Sequence, residues 1–446
     1  MIYFLIKNAI TTTKKIMVSL CVFSIINIPG YGQEILSLEN AISIGLENNY
    51  SIKIAKNEKN IAGNNAEPGN AGMLPGITAS SSYNRSITAA KVEVITGAEL
   101  DDDRAHTELF DAEIILNWTL FDGLNMFYIY DRLKKLEQIS EVELEVALER
   151  TTADIILNYM DIVQQQLLMN VLNDQVEISR FRLQIEKIKK HVGSGSELEL
   201  LQAQVDLNED ESALFNLKTA LTNTKISLNE LLSRDVKINF MVVDTIILGP
   251  QLELPALMQY FTGHNREMIV QQMNKDALKL KLKGLQAERY PEIDLITSYN
   301  FLLNNTEASF IKYNRLLGPY FGLSANFNIF NGFDQRRKIR NTHISLMNTD
   351  LQILQTQNRL ESFLVRLFND YQNDFKLIDF ERRNFDLAKR NMDIAKESFE
   401  LGMISPLQLR EVQKNRISAG NRMIQAQYRT KVKEVELLLI SGQLIK

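Results

Sequence analysis

Four histidines, His106, His191, His264 and His343, are the side chains best suited to hold a metal or move a proton near neutral pH. They are scattered along the chain with no ligand spacing between them. No GxxxxGK[ST] run is present to cradle a phosphate. Asp101-Asp102-Asp103 offers carboxylates that would suit calcium, but three consecutive acids in a polar stretch are read as an exposed loop. The basic run "QRRKIR" (335–340) is either a solvated helix start or a contact for anionic headgroups, and both readings stand. No catalytic constellation is found, and no enzyme, cofactor or metal site is expected.

The composition points elsewhere. A chain of 446 residues, 45% hydrophobic, can build a large core or two to three domains. Its 8 Pro and 20 Gly are few, which suits long uninterrupted helices. A net charge of -5 gives no basic footprint for nucleic acid, so none is expected as partner. Lys14 and Lys15 precede the apolar run 16–28, and Gly30-Tyr31-Gly32 supplies small residues before Gln33, so residues 1–32 read as a secretory signal peptide. The run is short for a spanning anchor. Cys21, the only cysteine, would leave with it, so the mature chain has no disulfide and becomes more acidic.

The chain is written twice. "LPGITASSSY" (74–83) aligns with "YPEIDLITSY" (290–299) at an offset of 216, which Asn49 and Asn265 share. "LNWTLFDG" (116–123) aligns with "ANFNIFNG" (325–332), and "VGSGSELEL" (192–200) with "LGMISPLQL" (401–409), both at 209. The drop of seven places a longer loop in the first half, within 89–108. Each half then predicts one helix (37–72; 256–289), two strands (76–89 and 108–121; 291–304 and 318–330), a very long helix to about His191 or Glu400, a Gly-containing turn, and a returning helix (197–233; 406–440). The domains are 33–233, a linker or collar at 234–255, and 256–446. Leucines 200, 207, 214, 221 and 228 repeat at sevens, and Leu360, Leu364, Leu367, Tyr371 and Ile378 form a second seam, which predicts coiled-coil packing.

The strands have two faces. Phe110, Ala112, Ile114, Leu116, Trp118 and Leu120 alternate with polar residues, as do Phe321, Leu323, Ala325, Phe327 and Ile329. Lengths of 11 to 13 residues suit transmembrane strands, which need about 9–11. Phe110, Ile114, Leu116, Trp118, Leu120, Phe321, Leu323, Phe327 and Ile329 are therefore assigned to lipid, and Tyr83, Phe110, Phe121, Tyr299, Tyr320 and Phe330 to aromatic girdles. Four strands cannot close a barrel, and open edges are forbidden in lipid, so the barrel must be shared between chains. Two chains would give eight strands and three would give twelve.

This ordered set resembles the TolC-like outer-membrane efflux family over about 35–441. It is carried by the duplicated helix–strand–strand–helix–helix order, Leu74-Pro75 and Tyr290-Pro291, Phe121-Asp122-Gly123 and Phe330-Asn331-Gly332, and the turns "VGSGSELELLQAQ" and "LGMISPLQLREVQ". The resemblance implies a mainly α fold with membrane β: a homotrimer, a twelve-strand outer-membrane barrel and a periplasmic α-helical tunnel. It implies a periplasmic adaptor and an inner-membrane pump or exporter as partners. A periplasmic coiled-coil adaptor without a pore is the competing reading, but it would carry one helical hairpin rather than two. The resemblance places adaptor contacts at the hairpin tips, here Gly193, Ser194, Gly195 and Ser196, then Gly402, Met403, Ile404, Ser405 and Pro406. It implies acidic residues six and nine positions past each tip glycine, forming a pore constriction. Those positions hold Glu199 and Gln202, then Gln408 and Glu411, so Gln408 departs from the acid implied there. Glu199 and Glu411 would otherwise belong to a solvated helix face.

Overall fold

Two helices of 67 residues set the dimensions. The computed structural model describes residues 34–445, and the expected signal segment 1–32 lies outside them. In chain order the elements are β1 (Glu34–Leu36), α1 (Leu38–Asn48), α2 (Tyr50–Asn65), β2 (Gly76–Glu93), β3 (Glu99–Phe121), α3 (Asn125–His191) and α4 (Glu197–Leu231). Then come β4 (Phe240–Val242), α5 (Leu254–His264), α6 (Arg266–Ala287), β5 (Glu292–Thr306), β6 (Tyr313–Asn326), α7 (Asp334–Glu400) and α8 (Pro406–Ser441). Neither α3 nor α7 contains a Gly or Pro, so nothing interrupts its hydrogen-bond ladder. At 1.5 Å per residue each is about 100 Å long.

The long helices are flanked by shorter ones along their length. In the half nearer the sheet, the packing order is α2–α3–α6–α7; in the far half it is α4–α3–α8–α7. The predicted seams are buried at Leu207, Leu214, Leu221 and Leu228 on α4, where Leu200 is only partly covered, and at Leu360, Leu364, Leu367, Tyr371 and Ile378 on α7.

The first helix of each repeat differs from the expectation. It is broken at Asn49 and at Asn265, where no Gly or Pro marks the joint. Each asparagine turns the chain and caps the next helix. Asn49 Oδ1 accepts the Ser51 and Ile52 amides, and Asn265 Oδ1 accepts that of Met268 at 3.0 Å. Each also donates Nδ2 to a carbonyl at the end of the returning helix, Leu231 at 2.8 Å and Ile440 at 2.9 Å. The same device thus ties helix entry to helix exit in both repeats.

Midway along the rod, the expected linker 234–255 holds the short strand β4, which pairs in parallel with β1, and α5 already begins at its last two residues. Phe240 and Val242 enter a core with Leu36, Ile155, Ile162 and Val163. The Tyr159 hydroxyl donates to the Leu36 carbonyl at 2.9 Å and accepts the Val243 amide at 3.2 Å, stitching both strands to α3.

The remaining strands form one antiparallel sheet in the order β2-β3-β5-β6, with β2 and β6 unpaired at its edges. The expected loop within 89–108 is largely strand. β2 and β3 continue to a turn at 94–98, so Asp101-Asp102-Asp103 lies in β3, with Asp101 close to Lys91. The fourth strand was expected to reach residue 330 but ends at Asn326. Its partner β5 begins at Glu292, just after Pro291, which has no amide to extend the ladder.

Candidate functional site

Directly paired residues in a sheet point to the same face. One row runs from Ile77 through Leu116 and Thr297 to Phe321, and the next from Ala79 through Ile114 and Tyr299 to Pro319. Trp118 continues the face through Leu295 to Leu323. Phe110, Ile114, Leu116, Trp118, Phe321 and Leu323 therefore share one apolar face. Phe321 and Leu323 are 75% and 72% exposed, so nothing in this chain covers them. The opposite face carries Ser80, Ser82, Asp111, Glu113, Asp294 and Asn300. There Thr119 Oγ1 donates to Asp294 Oδ1 at 2.8 Å.

From Leu303 to Ile293, which pair with Phe110 and Phe121, the apolar face spans ten residue steps. At about 3.3 Å per step and a tilt of about 40°, it is about 25 Å tall, the thickness of a barrel's apolar band. Beyond Phe110 the face turns charged, with Arg85 opposite Glu108 and Lys91 opposite Asp101. Tyr83 and Phe110 pair at that boundary, and Phe110 meets Phe301 edge-on at 5.9 Å. At the other end Trp118 Nε1 donates to the Met73 carbonyl at 3.0 Å.

Several assigned side chains fall elsewhere. Phe327 and Ile329 lie past the end of β6, in the connection to α7, so they belong to no strand row. Phe330 lies there too. Leu120 sits at a bulge between Thr119 and Phe121 and has no partner in β5. Tyr320 pairs with Ser298 on the polar face, and Tyr299 stands in the middle of the apolar band rather than in a girdle.

The sheet passes into the rods through matched left-handed turns. Gly123 and Leu124 have φ of 73° and 72°; Gly332 and Phe333 both have 65°. At Gly123 a side chain is excluded outright, since a Cβ would come within 2.3 Å of the Ala287 carbonyl. Asp122 Oδ2 then accepts the Met126 amide at 2.7 Å, which starts α3.

The far ends of the rods are two hairpin tips built alike. Gly193 (φ 77°) and Gly402 (φ 74°) end the long helices. Ser196 and Ser405 start the returning ones through capping boxes. The Ser405 amide donates to Gln408 Oε1 at 2.8 Å, and the Ser196 amide to Glu199 Oε2 at 3.4 Å. This accounts for Gln408 standing where an acid was implied, because a carbonyl oxygen serves the box as well as a carboxylate. Gln202 and Glu411, one turn further, are exposed; Gln202 donates to Asp206 at 3.0 Å. The tips carry uncovered apolar side chains: Val192 and Leu198 on one, Leu401, Met403 and Leu407 on the other.

A buried polar network near the tips was not foreseen. Arg410 of α8 reaches Asp210 of α4, with Nη1 to Oδ2 at 2.7 Å and Nη2 to Oδ1 at 3.2 Å. Arg182 of α3 holds Asp206 at 2.6 Å, and Gln413 donates to Ser179 Oγ at 2.7 Å. Burial would lower the Arg410 guanidinium pKa, but bonding and charge from Asp210, then Asp206 and Glu209, hold it above its ordinary value. A sequence signal existed: Asp210 falls midway between Leu207 and Leu214, where Leu217 sits in the next heptad. The second repeat has Asn415 and Ala419 at the positions equivalent to Asp206 and Asp210, so the network occurs once per chain.

Comparison with known proteins agrees with this geometry. Residues 41–234, nearly the whole first repeat, match the family model "Outer membrane efflux protein". No curated protein matches the sequence. Among solved structures, the fold is similar to the Campylobacter jejuni CmeC outer membrane channel, at a TM-score of 0.78 and 16% identity over 92% of this chain and 86% of that one. It is also similar to the outer membrane protein VceC of Vibrio cholerae (TM-score 0.73, 12% identity, 91% and 96%). The open-state MtrE outer membrane channel of Neisseria gonorrhoeae matches at 0.70 and 12%, over 91% and 89%. With its first repeat matched in sequence and more than nine tenths of its length matched in fold, the chain is similar to outer membrane efflux proteins and has the fold of outer membrane channels.

Proposed function

We propose that the protein is the outer-membrane channel-tunnel of a tripartite efflux or secretion system. One observation carries the reading: an apolar band of lipid height lies on a sheet with two unpaired edges, and the sheet continues into a row of four helices. Unpaired backbone is not tolerated in lipid, so β2 of one copy pairs with β6 of the next. Three copies close twelve strands above twelve helices. The face bearing Ser80, Asp111, Glu113 and Asp294 then lines the lumen, and Ile114, Leu116 and Phe321 meet the hydrocarbon.

Substrates enter at the tips. There the periplasmic adaptor contacts Gly193–Ser196 and Gly402–Pro406 and covers the exposed Val192, Leu198, Met403 and Leu407, while an inner-membrane pump or exporter supplies the cargo. The proposed constriction lies one turn inside, at Gln202 and Glu411; Glu199 and Gln408 are engaged as caps. The test is to isolate the protein from outer membranes, weigh it in detergent and record it in planar bilayers. A trimer with an ohmic conductance supports the reading, and a water-soluble monomer without conductance refutes it.

A further inference from the structure

Where the apolar face of the sheet ends on the rod side, Phe121 pairs with Ile293 on the lipid-assigned face. Directly below is a cavity of about 780 Å³. Its walls include Phe121, Leu124, Tyr128 and Tyr290, with the cations Lys283 and Arg289, and no carboxylate lines it. Both cations are exposed, and Lys283 Nζ stands 5.8 Å from the centre of the Tyr128 ring. The neighbouring cavity has the opposite sign: Asp122, Glu288 and Glu292 line it, and Glu292 pairs with Asn326 on the polar face. Charge is thus sorted across the wall, cations outward and carboxylates inward. The same level is rich in base elsewhere. Residues 279–292 hold Lys279, Lys281, Lys283 and Arg289, and the "QRRKIR" run begins α7 with two of its cations on Asp334 and with Arg336 and Arg340 exposed.

The cavity would also stay open in the proposed ring of chains. It is built by β3, α3 and α6, each of which has neighbours on both sides within one chain, whereas β2 and β6, the edges proposed to pair between chains, do not line it. We propose that it seats the phosphate headgroup of an anionic phospholipid from the periplasmic leaflet of the membrane, with the acyl chains running up past Phe121 and Ile293. Aromatic rings are favoured at headgroup level, and each cation near an anionic surface strengthens attraction about fivefold. The inference rests on the channel reading above and adds a preferred lipid to it.

The test is a native mass spectrometric titration of the full detergent-solubilised assembly with phosphatidylglycerol, phosphatidylcholine of the same chains, or soluble glycerol 3-phosphate. The wild type is expected to retain one phosphatidylglycerol per chain in preference to phosphatidylcholine. K283Q/R289Q is expected to bind phosphatidylglycerol about thirtyfold more weakly. K218Q/K414Q, which removes two cations far from the membrane, is expected to match the wild type. Equal retention of the two lipids, wild-type binding by K283Q/R289Q, or displacement of phosphatidylglycerol by glycerol 3-phosphate would overturn the proposal. A trimer indifferent to lipid charge overturns this inference alone. A chain that never assembles or enters a membrane overturns both it and the channel reading.

Discussion

Arg410 and Asp210 lie 200 residues apart in sequence, yet their side chains meet at 2.7 Å and join the second repeat to the first. Both are almost wholly buried. Removing one member of such a pair strands the other charge away from water. Arg410→Ala is expected to cost about 3–5 kcal/mol. Replacing the pair together, as Arg410→Met with Asp210→Leu, is expected to cost less than Arg410→Ala alone. Heat denaturation of the wild type, Arg410→Met, Asp210→Leu and the double variant, followed by circular dichroism, measures the cycle; additive losses would mean that the two residues are not coupled.

Leu116 and Asn117 are adjacent in β3 and point to opposite faces. Leu116→Arg is expected to lower the yield of membrane-assembled protein sharply, because a cation near the middle of the lipid face costs about 2–4 kcal/mol. Asn117→Arg places the same charge on the polar face and is expected to assemble normally. Quantifying both in outer-membrane fractions checks the facing, and equal yields would reverse the assignment.

The helices were easier to read than the strands, for physical reasons. Both tips and both returning helices carry local signals: Gly193 and Gly402 at positive φ, Ser196 and Ser405 as caps, and Pro406 in a first turn. The apolar face was legible where lipid demands alternation. Above it β2 and β3 need no oily side, so Asp101-Asp102-Asp103 looked like a loop. At the other end Phe327 and Ile329 keep the alternation going after the ladder has ended. The breaks at Asn49 and Asn265 were hidden because a capping asparagine is also an ordinary helix-surface residue. The Arg410 network escaped because its partners converge from three helices, and only Asp210 betrays it locally.

At the tips Glu199 and Glu411 are no longer equivalent. Glu199 belongs to a capping box that Gln408 forms equally well in the other repeat. Glu199→Gln is therefore expected to leave stability within about 0.5 kcal/mol of wild type and to change conductance little. Glu411 is exposed one turn further on and would form a ring of three carboxylates in a trimer. Glu411→Gln is expected to reduce cation selectivity in planar bilayers. Reversal potentials under a salt gradient separate the two variants; an unchanged Glu411→Gln channel would place the selective constriction elsewhere.

Asn49 caps a helix with its oxygen and holds the Leu231 carbonyl with its nitrogen. Asn49→Asp keeps the acceptor but turns a donor into a second acceptor facing that carbonyl. Asn49→Ala loses the cap, at about 1–2 kcal/mol. Asn49→Asp is expected to be destabilised as well, although aspartate is a good cap in isolation. Denaturation midpoints of the two variants measure this, and an Asn49→Asp protein as stable as wild type would show that the tie to Leu231 contributes nothing.

The central claim is that the open edges β2 and β6 pair between chains, and cysteine crosslinking tests it most directly. The mature chain is expected to have no cysteine of its own, since Cys21 lies in the segment read as a signal peptide. One cysteine at Ser82 in β2, combined in turn with one at Gly318, Tyr320, Gly322 or Ser324 in β6, scans the register on the polar face. Oxidation in native membranes is predicted to give dimer and trimer bands, and nothing larger, for the pairs in register. Monomer alone for every pair in membrane-inserted protein, or a crosslink confined within one chain, would contradict the shared barrel.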